Sequence, residues 1–512
     1  MKTTSHLPKA IAMPSVSVRS VVSIWSVLVL AAFLRFFQIG AEGVWLDELY
    51  SIDDAINLTS GNLDLRPLYY VLLRGWMSLG GSDAVLRSLS AVLDLGAIYL
   101  GFRLCLMTLG RPVALVAALM MSLSPLVINH AQEIRMYPLI TFLTLGGSLL
   151  MAHVLEKPTL LNIGFWAFAR LLAIFTSPLM LLMLFPDCVL FGLAYWRKWP
   201  QLRKFSYGLI FLGVAWSPLV LPKLFNTVPS YIETQGNPYR VGITNLLSRL
   251  TQFTVFWPLN AITDVDRSLV PLSFYKLFTL ILVVVLIIGL TAIRFNMKSR
   301  PLWIAAWGFL PLLAQYVANE TVMEGTIWKP RYLLYMSPYV FMLLALGFDR
   351  LRKWKPPIAI ATAILYLIAT FGGLQFYYAK DFRPPWNDIA AVIEAQEKPG
   401  DVIVNYTWMG NHNMPRYYEG SSSMVTLHLP RRQTEAERLE MVRSAIKTLP
   451  QSQRLWLVCQ AGCEEQEEYT LITEATLGEN PSEIFSEEFS NVVDEGAGLA
   501  GIELQLLTRE NT

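Results

Sequence analysis

From Val18 to Gln375 the chain alternates long apolar runs with short polar stretches. A bilayer core takes roughly 20 apolar residues per helix, so such runs predict membrane spans, whereas soluble helices of that length keep a polar face. Eleven spans are expected, centred near residues 29, 96, 121, 147, 168, 186, 216, 282, 310, 341 and 366. The apolar stretch after Arg66-Pro67-Leu68-Tyr69-Tyr70 is short for a span and suits a helix lying along the interface. Beyond about Asp381 the period changes. Helices are predicted over Asn387 to Gln396, Glu435 to Lys447 and Glu464 to Ala475. Strands are predicted over Asp401 to Asn405, Val425 to Leu429, Leu455 to Cys459 and Gly501 to Leu507. Alternating strands and helices argue for a small α/β domain. The expected division is a polytopic α-helical membrane domain, residues 18–378, followed by an α/β domain, residues 381–512.

Composition agrees with two environments. Of 512 residues, 54% are hydrophobic and 16% charged, where soluble chains carry about 25% charged. The net charge of +2 argues against a nucleic-acid partner. That near-neutral sum hides a split. Residues 381–512 hold 22 acidic and 10 basic residues, a net of −12, and the preceding part holds 17 acidic and 31 basic, a net of +14.

The basic residues also fix an orientation, because cytoplasmic loops retain Lys and Arg. Lys2, Lys9 and Arg19 precede the first span, and every even-numbered exit is basic, from Arg103 and Arg111 to Arg350, Arg352, Lys353 and Lys355. Most odd-numbered exits carry acids: Asp47 and Glu48, Glu133, Glu233, Asp264 and Asp266, Glu320 and Glu324. The N-terminus is therefore expected in the cytoplasm. Eleven crossings leave the acidic C-terminal domain outside a plasma or inner membrane. Cys459 and Cys463 lie four apart there, where a disulfide could persist.

Candidate chemistry gathers on the same side. Asp47 and Glu48 stand beside Trp45 and Tyr50 at the first exit, where a carboxylate can take a proton from an acceptor hydroxyl. Glu133 and Tyr137 are spaced i, i+4 in the second outside loop, and Arg135 between them is a cation suited to phosphate. Lys329 and Arg331 add outside-facing cations next to Tyr332. Asp94 and Asp187 fall within or near spans, where ionisable groups are costly, and raise the alternative of a transporter or flippase for a lipid-linked substrate. Asp94 could pair with Arg87, Arg103 or another helix. His130 and Glu133 could hold a divalent ion, but no D-x-D pattern supports one, so no metal ligand is assigned.

In order, Trp45-Leu46-Asp47-Glu48-Leu49, Arg66-Pro67-Leu68-Tyr69-Tyr70, Asp83 to Ser90 and Ser124 to Tyr137 resemble the membrane glycosyltransferases of the protein O-mannosyltransferase type. That group includes the lipid A aminoarabinose transferases, all with the C-type glycosyltransferase fold. The resemblance returns at Lys329-Pro330-Arg331-Tyr332 and at Pro385-Trp386-Asn387-Asp388. It implies transfer of a sugar from a polyprenyl-phosphate donor to a glycan, lipid or protein acceptor. Asp47 with Glu48 would be catalytic. Arg66, Arg135, Lys329 and Arg331 would hold the donor phosphate, and Tyr69, Glu133, Tyr137 and Tyr332 would line the substrate site. Expected partners are that donor, the acceptor and membrane lipids.

Overall fold

A computed structural model describes residues 18–58, 67–235, 250–254, 272–294, 296, 299–323, 327–407, 410–427, 435–460, 467–478, 481–493 and 498–509. A helix stands at each of the eleven expected centres. Six helices are long and apolar enough to cross a membrane: Asp83–Thr108, Tyr137–Glu156, Pro178–Tyr195, Arg300–Thr321, Pro330–Trp354 and Pro356–Ala379. The chain is thus a multi-pass membrane protein. Ile24–Phe36, Leu160–Thr176 and Lys276–Leu290 are apolar but shorter. The expectation of eleven spans counts these and Trp199–Gln235 as well.

One apolar run is broken, and its residues explain why. Arg111–Leu123 and Pro125–Ala131 meet at 62°. Pro125 has no N–H to continue the first helix, and the Ser124 hydroxyl accepts the Val127 N–H to start the second. The break strands carbonyls at the end of the first helix, which lipid cannot satisfy. Arg35, on Val18–Phe36, donates to Ser122 O at 2.7 Å and Met121 O at 3.1 Å. Its Nε reaches Asp94 at 2.6 Å, so the partner of Asp94 comes from another helix rather than from Arg87 or Arg103. Asp187 is held by Arg170 at 2.8 Å and by the indole N–H groups of Trp166 and Trp307. Both buried acids have their charge matched by an arginine.

The C-terminal region is an α/β unit with a five-stranded sheet in the order β2-β1-β3-β5-β4. β1 (Val402–Asn405) runs parallel to β2 (Ser423–Thr426) and β3 (Arg454–Gln460). β5 (Gly498–Arg509) lies antiparallel between β3 and β4 (Pro481–Val493). The continuous apolar run of β1 follows from burial on both faces. Val402, Val404, Leu455 and Leu457 pack under the helices Glu435–Ala445 and Glu467–Leu477. Ile403, Trp456 and Val458 pack with Trp386, Ile389 and Met414 on the other face. β2 begins two residues before its expected start, and β4 and the helix Gly410–Tyr417 were not expected at all. Cys459 is disulfide-bonded. Cys463 lies outside the described residues.

The loops sort to two ends of the helix bundle. At one end Arg300 bonds Met107 O at 2.7 Å and Glu156 at 2.8 Å. At the other, Arg383 bonds Gln132 O at 3.0 Å and Glu42 at 2.7 Å, so the first and second loops meet the C-terminal region. The exits near Met107, Glu156 and Arg300 thus meet at one end, and those near Glu42 and Gln132 at the other.

Candidate active site

The helix Leu46–Ile56 begins where extended Trp45 gives way to Asp47 and Glu48 in the first turn, favoured there by the helix dipole. Glu48 at the third position reaches back to the Trp45 N–H at 3.2 Å, which starts the helix. Successive residues on a helix point about 100° apart, so the adjacent carboxylates cannot share one environment.

Glu48 turns inward and is fully buried. Arg87 grips it through two parallel bonds, Nε to Oε1 at 2.9 Å and Nη2 to Oε2 at 2.8 Å. The Ile134 N–H donates to Oε1 at 2.9 Å, and Arg383 Nε lies 3.6 Å from Oε2. Burial alone would raise the Glu48 carboxyl. Arg87, Arg383 and the Ile134 amide outweigh that and hold it below its ordinary value. Arg87 also bonds the carbonyls of Ile39, Glu42 and Gly43, fixing the chain reversal that leads into the helix. Glu48 therefore joins the first loop, the second loop and the helix Asp83–Thr108.

Asp47 turns the other way, with its side chain 30% exposed. Its Oδ2 stands 3.7 Å from Arg135 Nη2 and 3.7 Å from Arg331 Nη1. These separations bring Coulomb attraction without the length of a hydrogen bond. Arg135 is anchored through Nη1 to Asp47 O at 2.8 Å and Ser51 Oγ at 2.9 Å. Its buried Nε has no hydrogen-bond partner among the described residues. Arg331 lies over the rings of Trp45 and Tyr332, at 5.8 and 5.6 Å from their centroids, and Arg135 is 5.9 Å from that of Tyr137. Three separate segments thus bring one carboxylate, two guanidinium groups and an aromatic rim together.

The other expected residues sort around this centre. Lys329 caps the helix Pro330–Leu333 that carries Arg331 and Tyr332. Tyr137 starts its helix and stacks edgewise on His130, 5.1 Å between centroids. Glu133 faces His130 Nδ1 at 3.0 Å and Asn129 at 3.4 Å. No group of three or more His, Cys, Asp or Glu residues able to hold a metal occurs among the described residues. Tyr69 is fully buried against Tyr70, 5.8 Å between centroids, and presents no surface to a ligand. Arg66 lies outside the described residues.

Two contributors escaped the sequence reading. Arg87 sits inside the Asp83 to Ser90 stretch noted above, and an arginine entering an apolar span was the available signal. Arg383 gave none, because its partners Glu42 and Gln132 are 341 and 251 residues away.

No protein-family model matches the sequence, and no curated protein matches it either. Solved structures do. The crystal structure of ArnT from Cupriavidus metallidurans bound to undecaprenyl phosphate superposes with a TM-score of 0.56 at 14% identity, covering 96% of this chain and 98% of that one. The Archaeoglobus fulgidus oligosaccharyltransferase in complex with Zn and sulfate gives 0.51 at 11% identity, over 94% of this chain and 72% of that one. The chain has the C-type glycosyltransferase fold. At these identities the likeness speaks for architecture, and the chemistry has to be argued from the residues.

Proposed function

We propose that the protein is a membrane glycosyltransferase that moves a sugar from a polyprenyl-phosphate donor to an acceptor hydroxyl, with inversion. The observation that carries this reading is the convergence of Asp47, Arg135 and Arg331 at one end of the helix bundle. ArnT, similar over nearly its whole length, was solved with undecaprenyl phosphate bound, which agrees with a lipid-phosphate donor. Arg135 and Arg331 would take the phosphate oxygens, with Lys329 and Arg66 as further cations. Asp47 would accept the acceptor hydroxyl's proton while that oxygen attacks the anomeric carbon. The bond from that carbon to the phosphate oxygen breaks, and polyprenyl phosphate leaves with its charge held by the arginines.

In this reading the helices of residues 18–378 supply the donor groove, and residues 381–512 form an extracytoplasmic domain beside the acceptor. Glu48 is then a positioning residue rather than a second base, because Arg87 and the Ile134 amide occupy its oxygens. No observation favours the transporter alternative. Asp94 and Asp187 are each held by an arginine inside the bundle, where they tie helices together.

The test is sugar transfer by the purified protein in detergent, using radiolabelled polyprenyl-phosphate donors and an envelope extract as acceptor. Transfer is expected from wild type and a loss of at least a hundredfold from Asp47→Asn. Full activity in that variant would sink the assignment of Asp47.

A further inference from the structure

The residues just before Asp47 are held from outside their own domain. The Val44 N–H donates to the Tyr417 hydroxyl at 2.6 Å, and that hydroxyl donates to Asp83 Oδ2 at 2.6 Å. Asn413 Nδ2 donates to Val44 O, so both backbone groups of Val44 are taken by the helix Gly410–Tyr417. Arg416 closes the set, with Nη2 at 2.7 Å and Nε at 3.2 Å from Asp83 Oδ1. One residue earlier, a Cβ on Gly43 would stand 3.0 Å from Asn387 Oδ1 and 3.5 Å from a Tyr417 ring carbon. One residue earlier again, Glu42 receives Arg383 at 2.7 Å and the Phe382 N–H at 3.2 Å.

These bonds gather on the first loop. Hydrogen bonds from residues 381–417 reach residues 41–44, which lie three to six positions ahead of Asp47. They also reach Gly81 and Asp83, at the start of the helix that carries Arg87, and Gln132 O in the second loop. Val44 is fully buried, so its polar groups would have no water to turn to if Tyr417 and Asn413 let go.

We infer that the C-terminal region is a latch on the catalytic loop, in which Tyr417, Asn413, Arg416 and Asp83 position residues 42–48 so that Asp47 reaches the donor phosphate site. This rests on the reading of Asp47 as the base. The four are positioning residues and touch no substrate. Their effect on rate follows from geometry: a reacting group displaced by about 1 Å costs on the order of a hundredfold. The donor's phosphate contacts, Arg135 and Arg331, come from other loops, but Arg135 is anchored on Asp47 O and Ser51 Oγ, and Arg331 lies over Trp45. Release of the latch displaces the base directly and the phosphate contacts only through those links. The turnover number should therefore fall by more than the donor KM rises.

Tyr417→Phe keeps the ring and removes only the hydroxyl, and Arg416→Ala and Arg416→Lys remove and retain the positive charge that faces Asp83. Hydrogen exchange of the peptide spanning residues 41–50 and steady-state kinetics are measured on each full-length protein. Tyr417→Phe is expected to speed exchange of that peptide about tenfold or more, leave the peptide of residues 137–156 unchanged, and lower kcat about ten- to a hundredfold with a smaller rise in donor KM. Arg416→Lys should recover much of what Arg416→Ala loses. Unchanged exchange in Tyr417→Phe overturns the latch. Faster exchange with unchanged kcat overturns its role in positioning the base. If wild type transfers no sugar, the proposed function fails by itself, and the exchange measurement still decides whether the loop is latched.

Discussion

Asp47 and Glu48 are adjacent in sequence and opposite in role, and substitution should separate them. Glu48→Gln breaks a buried, doubly bonded ion pair and leaves Arg87 without its anion. Loss of one partner from such a pair costs about 3–5 kcal/mol, so the variant should lose detergent-solubilised protein and melt several degrees lower. Asp47→Asn should melt close to wild type and fail only in transfer. It should also bind polyprenyl phosphate more tightly, because Asp47 is the anion that now stands beside both arginines. Tritiated lipid phosphate titrated against both proteins reads this directly, and weaker binding in Asp47→Asn would count against the arginines as the phosphate site. The pH dependence has a definite sign. A carboxyl held below its ordinary value contributes stability that is complete above about 4.5 and disappears as pH falls through the lower folded value. The gap in melting temperature between wild type and Glu48→Gln should therefore narrow on acidification below about pH 4.5.

At the scale of elements, polar groups inside the bilayer explain where helices break and where they stay whole. Arg35 answers the carbonyls left open before Pro125, and Arg170 with two tryptophans answers Asp187. Removing one member should be worse than removing both. Asp187→Leu strands the Arg170 guanidinium and should cost about 3–5 kcal/mol, whereas Asp187→Leu with Arg170→Met should recover most of it. Thermal unfolding of the single and double variants in one detergent is the measurement. The elements that sequence reading missed share a cause. The helix Gly410–Tyr417 contains Pro415 and little apolar surface, so no period announces it. β4 is an edge strand with a register shift between Glu483 and Phe485, which disturbs the alternation that would mark it. Both are fixed by what they pack against, β4 by β5 and the helix by the first loop.

Across the whole molecule, charge divides into a +14 part before residue 381 and a −12 part from there on, in keeping with the proposed topology. The positive-inside rule then predicts which end of the bundle faces which compartment. A cysteine at Ser421 should react with a membrane-impermeant maleimide on intact cells, and one at Lys353 only after permeabilisation. The reverse pattern would invert the proposed topology and place the site in the cytoplasm. Most of the architecture was legible because it rests on local signals: eleven helix centres on apolar runs, and an α/β unit on short alternating pieces. The acid and two of the cations at the site were legible as well, since residues of the right charge recur at exits on one side.

Sequence alone determined that the chain is a membrane protein with an α/β unit after its spans, and that Asp47, Arg135 and Arg331 are candidates. Those conclusions need only hydropathy, charge and spacing along the chain. The tertiary structure alone decided which of two neighbouring carboxylates meets Arg135 and Arg331, that Arg35 partners Asp94, and that Tyr417 and Arg383 reach back to the first loop. Each of these depends on contacts between residues tens to hundreds of positions apart, and no local period records a contact at that distance.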